Sequence, residues 1–427
     1  MSSFLKDFLS VGISQGLSIL FGLAVSIITA RYIGPEGNGI IAGLSVYPSL
    51  FMTIGSLGIR QATTYFLGKS VFSENQIKTA ITQIWLLTTV ISLSVSYWLI
   101  RNLSSGGYDL EMVIIALLPI PFSLFNTYNS GIFLGKNDIK SYNRINWIPS
   151  FIVLLGSVLL VICFDLDAKG ALLAVVGGHL FVFLLLMRKN DFLNFFSINY
   201  EWKVIKSMLS LGLVYAFSLL IINLNYKVDL ILLDKLSTPY ELGIYSKGAG
   251  ITQYIWQIPM LLSTIVFARS TIAKDDISFS LKVAQLLRVS FAFVAVAGAT
   301  LFVFSSWIIE LMYGSEFLPS AIVLQWLLPG VIVMTVFKVM NMDLAGKGKP
   351  WVALWAMSPA LLVNVALNIL FIPMIGAKGA ALASSVSYGL AGLLFLHFYS
   401  REAGVSVVRI LSFSARDFDF LMRTKYK

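Results

Sequence analysis

The chain has 427 residues, a formal net charge of +10, 57% hydrophobic residues and only 12% charged ones, with a mean hydropathy of +0.84. Soluble domains run to about 45–50% apolar and about 25% charged residues, so an ordinary soluble enzyme is excluded. Apolar stretches near the about 20 residues needed to cross a hydrocarbon core recur along the whole chain and predict an all-α polytopic membrane protein.

Hydropathy predicts twelve spans in chain order, at 11–30, 38–59, 79–100, 112–134, 146–164, 171–187, 207–232, 242–268, 289–311, 320–344, 351–372 and 377–399. The first is long for a signal-peptide core and has no small-residue cleavage pattern before Arg31, so it reads as a span. The single Cys163 cannot close an intrachain disulfide, and packing between helices must hold the fold. The resulting organisation is an N-terminal lobe at 1–187, a linker at 188–206, a C-terminal lobe at 207–399 and a basic tail at 400–427. The linker and tail mix bases with aromatics, as interfacial segments resting on anionic lipid do.

Lys and Arg are retained on the cytoplasmic side of a membrane protein. Most of the 31 basic residues fall on one face of this map, among them Lys6, Lys69, Lys136, Lys140, Arg144, Arg188, Lys189, Lys203, Lys274, Lys347, Arg401, Arg416, Arg423 and Lys425. The opposite face carries Arg31, Arg101, Lys169, Lys227, Lys235, Lys247 and Lys378, and Lys338 lies within a span. Both termini are therefore expected in the cytoplasm. The positive balance reads as topology, with no need for nucleic acid as a partner.

The two halves match each other. Leu117-Leu118-Pro119 is echoed by Leu327-Leu328-Pro329, Gly135-Lys136 by Gly346-Lys347, and Ala168-Lys169-Gly170-Ala171 by Ala377-Lys378-Gly379-Ala380. Pro35 and Gly39-Ile40 after the first span pair with Pro239 and Gly243-Ile244 after the seventh. Six spans per half is an even number, so the repeat is parallel, with its pseudo-twofold axis along the membrane normal. Two lobes of this kind are one solution to alternating access.

At this point a family resemblance emerges. The stretch Thr29-Ala30-Arg31-Tyr32-Ile33-Gly34-Pro35-Glu36-Gly37-Asn38-Gly39-Ile40 resembles the first-loop signature of polysaccharide-export flippases. Asn364, Asn368, Ile372-Pro373, Gly376 and Gly379-Ala380-Ala381 resemble the eleventh-helix signature of the same proteins, and Asp229, Leu233, Glu241, Gly243 and Tyr245 their seventh-to-eighth helix region. The chain thus resembles the Wzx-type oligosaccharide flippases of the multidrug, oligosaccharidyl-lipid and polysaccharide exporter superfamily. The resemblance implies an undecaprenyl-diphosphate-linked oligosaccharide as cargo, moved from the cytoplasmic to the periplasmic leaflet of a bacterial inner membrane for O-antigen, capsule or exopolysaccharide assembly. It implies membrane lipids, a polysaccharide polymerase and chain-length machinery as partners, and no cofactor.

A diphosphate and its sugars cannot cross hydrocarbon unaided, so intramembrane polar and ionisable groups are the candidate site. Lys227 could line a cavity or anchor at the interface. Asp229, two positions on, faces another side of its helix and could pair with a base elsewhere or serve ion coupling. Arg31, Arg60 and Arg269 end their helices, and Lys247 and Lys338 lie about two turns inside theirs. Arg offers a bidentate fork to phosphate and Lys a point charge, whereas snorkelling at a helix end is the competing explanation. Asn364 and Asn368 stack on one helix face and could bind sugar hydroxyls or bridge helices. A lone His179 could relay protons or simply be packed.

Other chemistries lack their residues. Asp165-x-Asp167 has no folded domain beside it to serve as a glycosyltransferase motif. Gly346-Lys347-Gly348-Lys349 lacks the spacing and hydroxyl of a nucleotide-binding loop, and no Cys/His metal cluster or Ser/His/Asp set can be assembled. An enzyme is not expected. Two alternatives remain: an ion-coupled multidrug exporter of the same architecture, and a membrane-embedded polysaccharide polymerase or ligase, which should carry a long outer loop that this map does not contain.

Overall fold

The computed structural model describes residues 3–189, 192–196, 200–270, 276–414 and 417. Of the basic residues placed on the cytoplasmic face, Lys274, Arg416, Arg423 and Lys425 lie outside the described residues, as do parts of the 188–206 linker and of the 400–427 tail. Every regular element among the described residues is helical.

The first two expected spans are continuous in α1 (Ser3–Ile54), a run of 52 residues. A straight helix of that length would reach roughly 78 Å at 1.5 Å per residue, more than twice the about 30 Å of a hydrocarbon core, so it has to break. It breaks at Gly34, with φ 73° and ψ 179°, a geometry costly for any residue with a Cβ. Pro35 follows and contributes no N–H. Asn38 donates from Nδ2 to the carbonyls of Thr29 and Gly34, both at 2.7 Å, satisfying groups that the break leaves open.

The chain continues through α2 (Ile59–Gly68), α3 (Glu74–Leu103), α4 (Leu110–Leu117), α5 (Pro119–Gly135), α6 (Ile139–Ser157) and α7 (Asp167–Lys189), with a π-helical turn at Val158–Cys163. Ser73 and Gln76 close a capping box at the start of α3, leaving its first donors satisfied. Then come α8 (Trp202–Leu236), α9 (Pro239–Ile255), α10 (Gln257–Ser270), α11 (Asp276–Tyr313), α12 (Pro319–Gly346), α13 (Val352–Ala403) and α14 (Val407–Leu411). α13 repeats the device of α1, because its 52 residues break at Ile375 and Gly376, the latter at φ 56°, just after Pro373. Nine helical runs among the described residues are long and apolar enough to cross a membrane, and the breaks divide the longest.

The surface is that of a protein in lipid. Val303, Leu362, Met374 and Val296 are each about 70% exposed, while polar groups are turned inward, which is the economical arrangement where the solvent is hydrocarbon.

Two compact units are resolved, one comprising Met1–Asn223 with Asp234–Gly243, the other Leu224–Leu233 with Ile244–Lys427. In the first, Ile59, Ile77, Ile81, Phe125, Tyr128, Val182, Leu186 and Met208 form a core from α2, α3, α5, α7 and α8. The sequence-matched turns meet within this unit: the Pro35 carbonyl lies where a Cβ on Gly243 would sit, and the Pro239 carbonyl where one on Gly39 would sit. Such reciprocity is what a local twofold relation produces. Beside it the buried Asp234 carboxylate accepts from Tyr108 Oη at 2.6 Å and Tyr47 Oη at 3.2 Å, and its main-chain carbonyl accepts from Ser105.

In the second unit, α12 packs along α13 through small residues. The Ser385 backbone closes on Gly330 and the Val333 backbone on Gly392, the close approach by which membrane helices gain packing without a hydrophobic drive. At one end of the unit, buried Asp343 accepts from Tyr399 Oη at 2.6 Å, Ser270 Oγ at 2.7 Å and Ser280 Oγ at 2.9 Å, and pairs with Lys347 at 3.1 Å.

Candidate functional site

In the first unit, α5 and α6 each line one cavity with residues at i, i+3, i+4 and i+7, the spacing of a single helix face. On α5 these are the polar Ser123, Asn126, Thr127 and Ser130; on α6 they are Asn146, Pro149, Ser150 and Val153, polar at Asn146 and Ser150. Together with Gly22 and Val25 of α1, Arg60 of α2 and His179 of α7 they enclose a cavity of about 390 Å³. α7 can come close because Gly178 has no side chain to collide with the Pro149 carbonyl.

Arg60 sits in the first turn of α2, entered through a left-handed Gly58 at φ 64°. Its guanidinium is half-buried and makes no ion pair among the described residues. Asn126 donates to the His179 carbonyl at 3.1 Å, while its own buried Oδ1 has no partner. A buried polar atom left unpaired is costly unless something else satisfies it. One cation, six amide or hydroxyl side chains and an imidazole can therefore receive a hydrated, negatively charged headgroup, beside apolar groups from Val25, Ile145, Pro149 and Val153.

In the second unit, Asn364 and Asn368 meet Asp229. The fully buried carboxylate accepts from Tyr245 Oη at 2.9 Å and Asn368 Nδ2 at 2.8 Å, and from Ser384 Oγ. All three donors are neutral, and no basic group lies within ion-pair distance among the described residues. Asn364 reaches the Asn225 carbonyl, Asn368 also donates to Asn364 Oδ1 at 2.6 Å, and Asn368 Oδ1 is buried without a partner.

The remaining candidates are not among the residues that form these two clusters. Lys338 stands over the rings of Tyr226 and Trp256, 4.1 and 4.5 Å from their centroids, a distance at which the ring quadrupole attracts a cation. Lys247 is buried against the Tyr313 ring at 5.4 Å. Lys227 is half-buried on α8, whereas Arg31 and Arg269 are exposed. Tyr226 was legible as part of the polar run Asn223, Asn225, Tyr226, Lys227 and Asp229 on the seventh span, but the sequence reading singled out none of Ser123, Asn126, Thr127, Ser130, Asn146 or Ser384. The four-residue polar spacing on α5 was the available signal for the first group; nothing local marks the others.

A family model described as polysaccharide biosynthesis protein matches residues 4–268. A curated relative, the probable low-salt glycan biosynthesis flippase Agl15 of Haloferax volcanii, is 24% identical over 280 residues, covering 62% of this chain and 54% of that protein. The chain thus spans about half the length of this relative. Among solved structures, the lipid II flippase MurJ in an inward closed conformation superposes with a TM-score of 0.77 at 16% identity, over 97% of this chain and 95% of that one. An inward-facing MATE family multidrug resistance transporter of the MOP superfamily gives 0.71 at 14% identity, over 91% and 94%. The fold is that of these transporters.

Proposed function

Because the chain belongs to the polysaccharide biosynthesis protein family, we propose that it is a transporter, not an enzyme, that flips a lipid-linked oligosaccharide across the membrane. The cargo we assign is an undecaprenyl-diphosphate-linked repeat unit, moved from the cytoplasmic to the periplasmic leaflet for O-antigen, capsule or exopolysaccharide assembly. The observation that carries this reading is the polar cavity holding Arg60. Moving a charged headgroup through hydrocarbon costs tens of kcal/mol in the Born limit, and a cavity lined with amides, hydroxyls and a guanidinium replaces the water it loses. Arg60 is suited to the diphosphate, which a guanidinium can grip with two parallel hydrogen bonds, while Asn126 and Asn146 suit sugar hydroxyls.

Alternating access of lobes 1–187 and 207–399 is the mechanism we assign, with Arg31, Lys227, Lys247, Arg269 and Lys338 as further cationic candidates. Asp229, ringed by neutral donors, fits a group that gains and loses a coupling ion better than one that neutralises a base.

The test is translocation in vesicles that contain the purified protein and a fluorescent lipid-linked oligosaccharide, read by access of an impermeant glycosidase to the headgroup. Protein-dependent exposure of the sugar is expected. If the sugar stays protected while a cationic dye is expelled under an ion gradient, the protein is a drug exporter of the same fold.

A further inference from the structure

A second cavity of the first unit, about 660 Å³, opens between α6 and α7 with Phe133 of α5 at its back. On α6 its lining runs Ser141, Arg144, Ile145, Ile148; on α7 it runs Phe181, Leu184, Leu185, Arg188. Both follow the i, i+3, i+4, i+7 spacing of one helix face. In both, the charge lies at one end of the stripe and apolar groups occupy the rest, so the groove is basic at its mouth and greasy along its length. Lys189 joins the mouth, donating to Ser141 Oγ at 2.6 Å with its ammonium 5.1 Å from the Phe133 ring.

Arg144, Arg188 and Lys189 make no ion pair among the described residues. Among the described residues, Asp138 is the acidic group whose field reaches Lys189 and Arg144, which sets three cations against one carboxylate. The outer wall, Phe181 and Leu184, is exposed, as a surface facing acyl chains would be. A free phosphate would make no use of the apolar walls, and a zwitterionic lipid, with no net charge, would not offset the excess of positive charge.

We propose that this groove binds an anionic phospholipid of the bilayer, its phosphate held by Arg144, Arg188 and Lys189 and its acyl chains lying along Ile148, Phe181 and Leu184. Basic pockets between membrane helices on the cytoplasmic side recognise anionic headgroups in this way. The site is separate from the Arg60 cavity, with Ile145 lining both, and it holds whatever the cargo proves to be.

The full chain, reconstituted in phosphatidylcholine nanodiscs with a trace of phosphatidylglycerol bearing a photoreactive acyl chain, should be labelled on Ile148, Phe181 or Leu184. Arg144→Gln with Arg188→Gln should reduce that labelling by about fivefold for each charge removed, the scale of one lysine or arginine at a membrane surface. Label on exposed Val303 and Phe304 of α11 should not change. Leu185→Trp fills the groove without altering charge and should also reduce labelling, which separates loss of the site from loss of folding. Equal labelling by a photoreactive phosphatidylcholine would overturn the proposal, leaving an unselective annular contact. Displacement of the label by equimolar polyprenyl diphosphate would also overturn it, because the groove would then be a cargo site. So would displacement by inorganic phosphate alone.

Discussion

Arg60 and Asp229 ask different things of their surroundings. Arg60 lines a cavity with no carboxylate among its described lining residues, so its charge is available to a ligand, whereas Asp229 is fully buried and its oxygens are already taken by Tyr245, Asn368 and Ser384. Hydrogen bonds to charged groups contribute about 1.5–3 kcal/mol each, so Arg60→Gln should weaken headgroup binding by about 10- to 150-fold, with expression and helicity unchanged. Asp229→Asn keeps the shape of the cluster and removes only its charge. It should preserve headgroup binding and abolish the dependence of translocation on an ion gradient, measured in the same vesicles. An Asn variant that still responded fully to the gradient would leave Asp229 a purely structural group. The two residues were not equally legible. Arg60 could be named from sequence because an arginine beside a long apolar run is conspicuous. Asn368 and Tyr245 could be named too, but nothing local in the sequence joins them and Ser384 to Asp229, with Asn368 and Ser384 lying on α13 more than 130 residues away.

At the scale of the helix, local rules account for much of what is observed. Gly34-Pro35 and Pro373 with Gly376 stand where a 52-residue helical run must turn, and both were read as the loops between spans. The Ser73–Gln76 capping box is equally local. What a single helix cannot reveal is which of its faces meets which neighbour, and the short α14 shows this. It is held by Arg288 of α11, which donates to the Ile410 carbonyl at 2.9 Å and grips Asp417 with Nη2 and Nε at 2.6 and 2.7 Å. The Arg288 guanidinium holds the Asp417 carboxyl below the usual carboxylate range, with the Ser414 amide adding to the effect. A carboxyl whose value is depressed by folding contributes stability at and above the ordinary range, about 3.9, and loses it as pH falls through the lower folded value. Amide exchange of Val407–Leu411 should therefore stay slow at neutral pH and accelerate below about pH 4, ahead of exchange in α11. Arg288→Gln should bring the fast exchange to neutral pH.

For the whole molecule, orientation is the property that the helices alone leave open. The excess of lysine and arginine predicts a cytoplasmic turn between α5 and α6 and an outer turn between α6 and α7. Cys163 lies at the latter and is exposed. In intact cells it should react with an impermeant maleimide, and Lys140→Cys in a Cys163→Ser background should react only after the membrane is permeabilised. The opposite pattern would invert the map and, with it, the assigned direction of transport.

The sequence by itself determined that this is an all-α protein of the membrane, where its two longest helical runs break, and to which family it belongs. These follow from hydropathy, glycine and proline placement and short ordered motifs, all properties of neighbouring residues. The tertiary structure decided which polar residues act together. Arg60, the stripes of α5 and α6, and His179 converge on one cavity, while Lys338 turns to Tyr226 and Trp256 instead of joining them. The reason is physical: within hydrocarbon, polar side chains are driven inward alike, and only the packing of one helix against another settles what each is buried with.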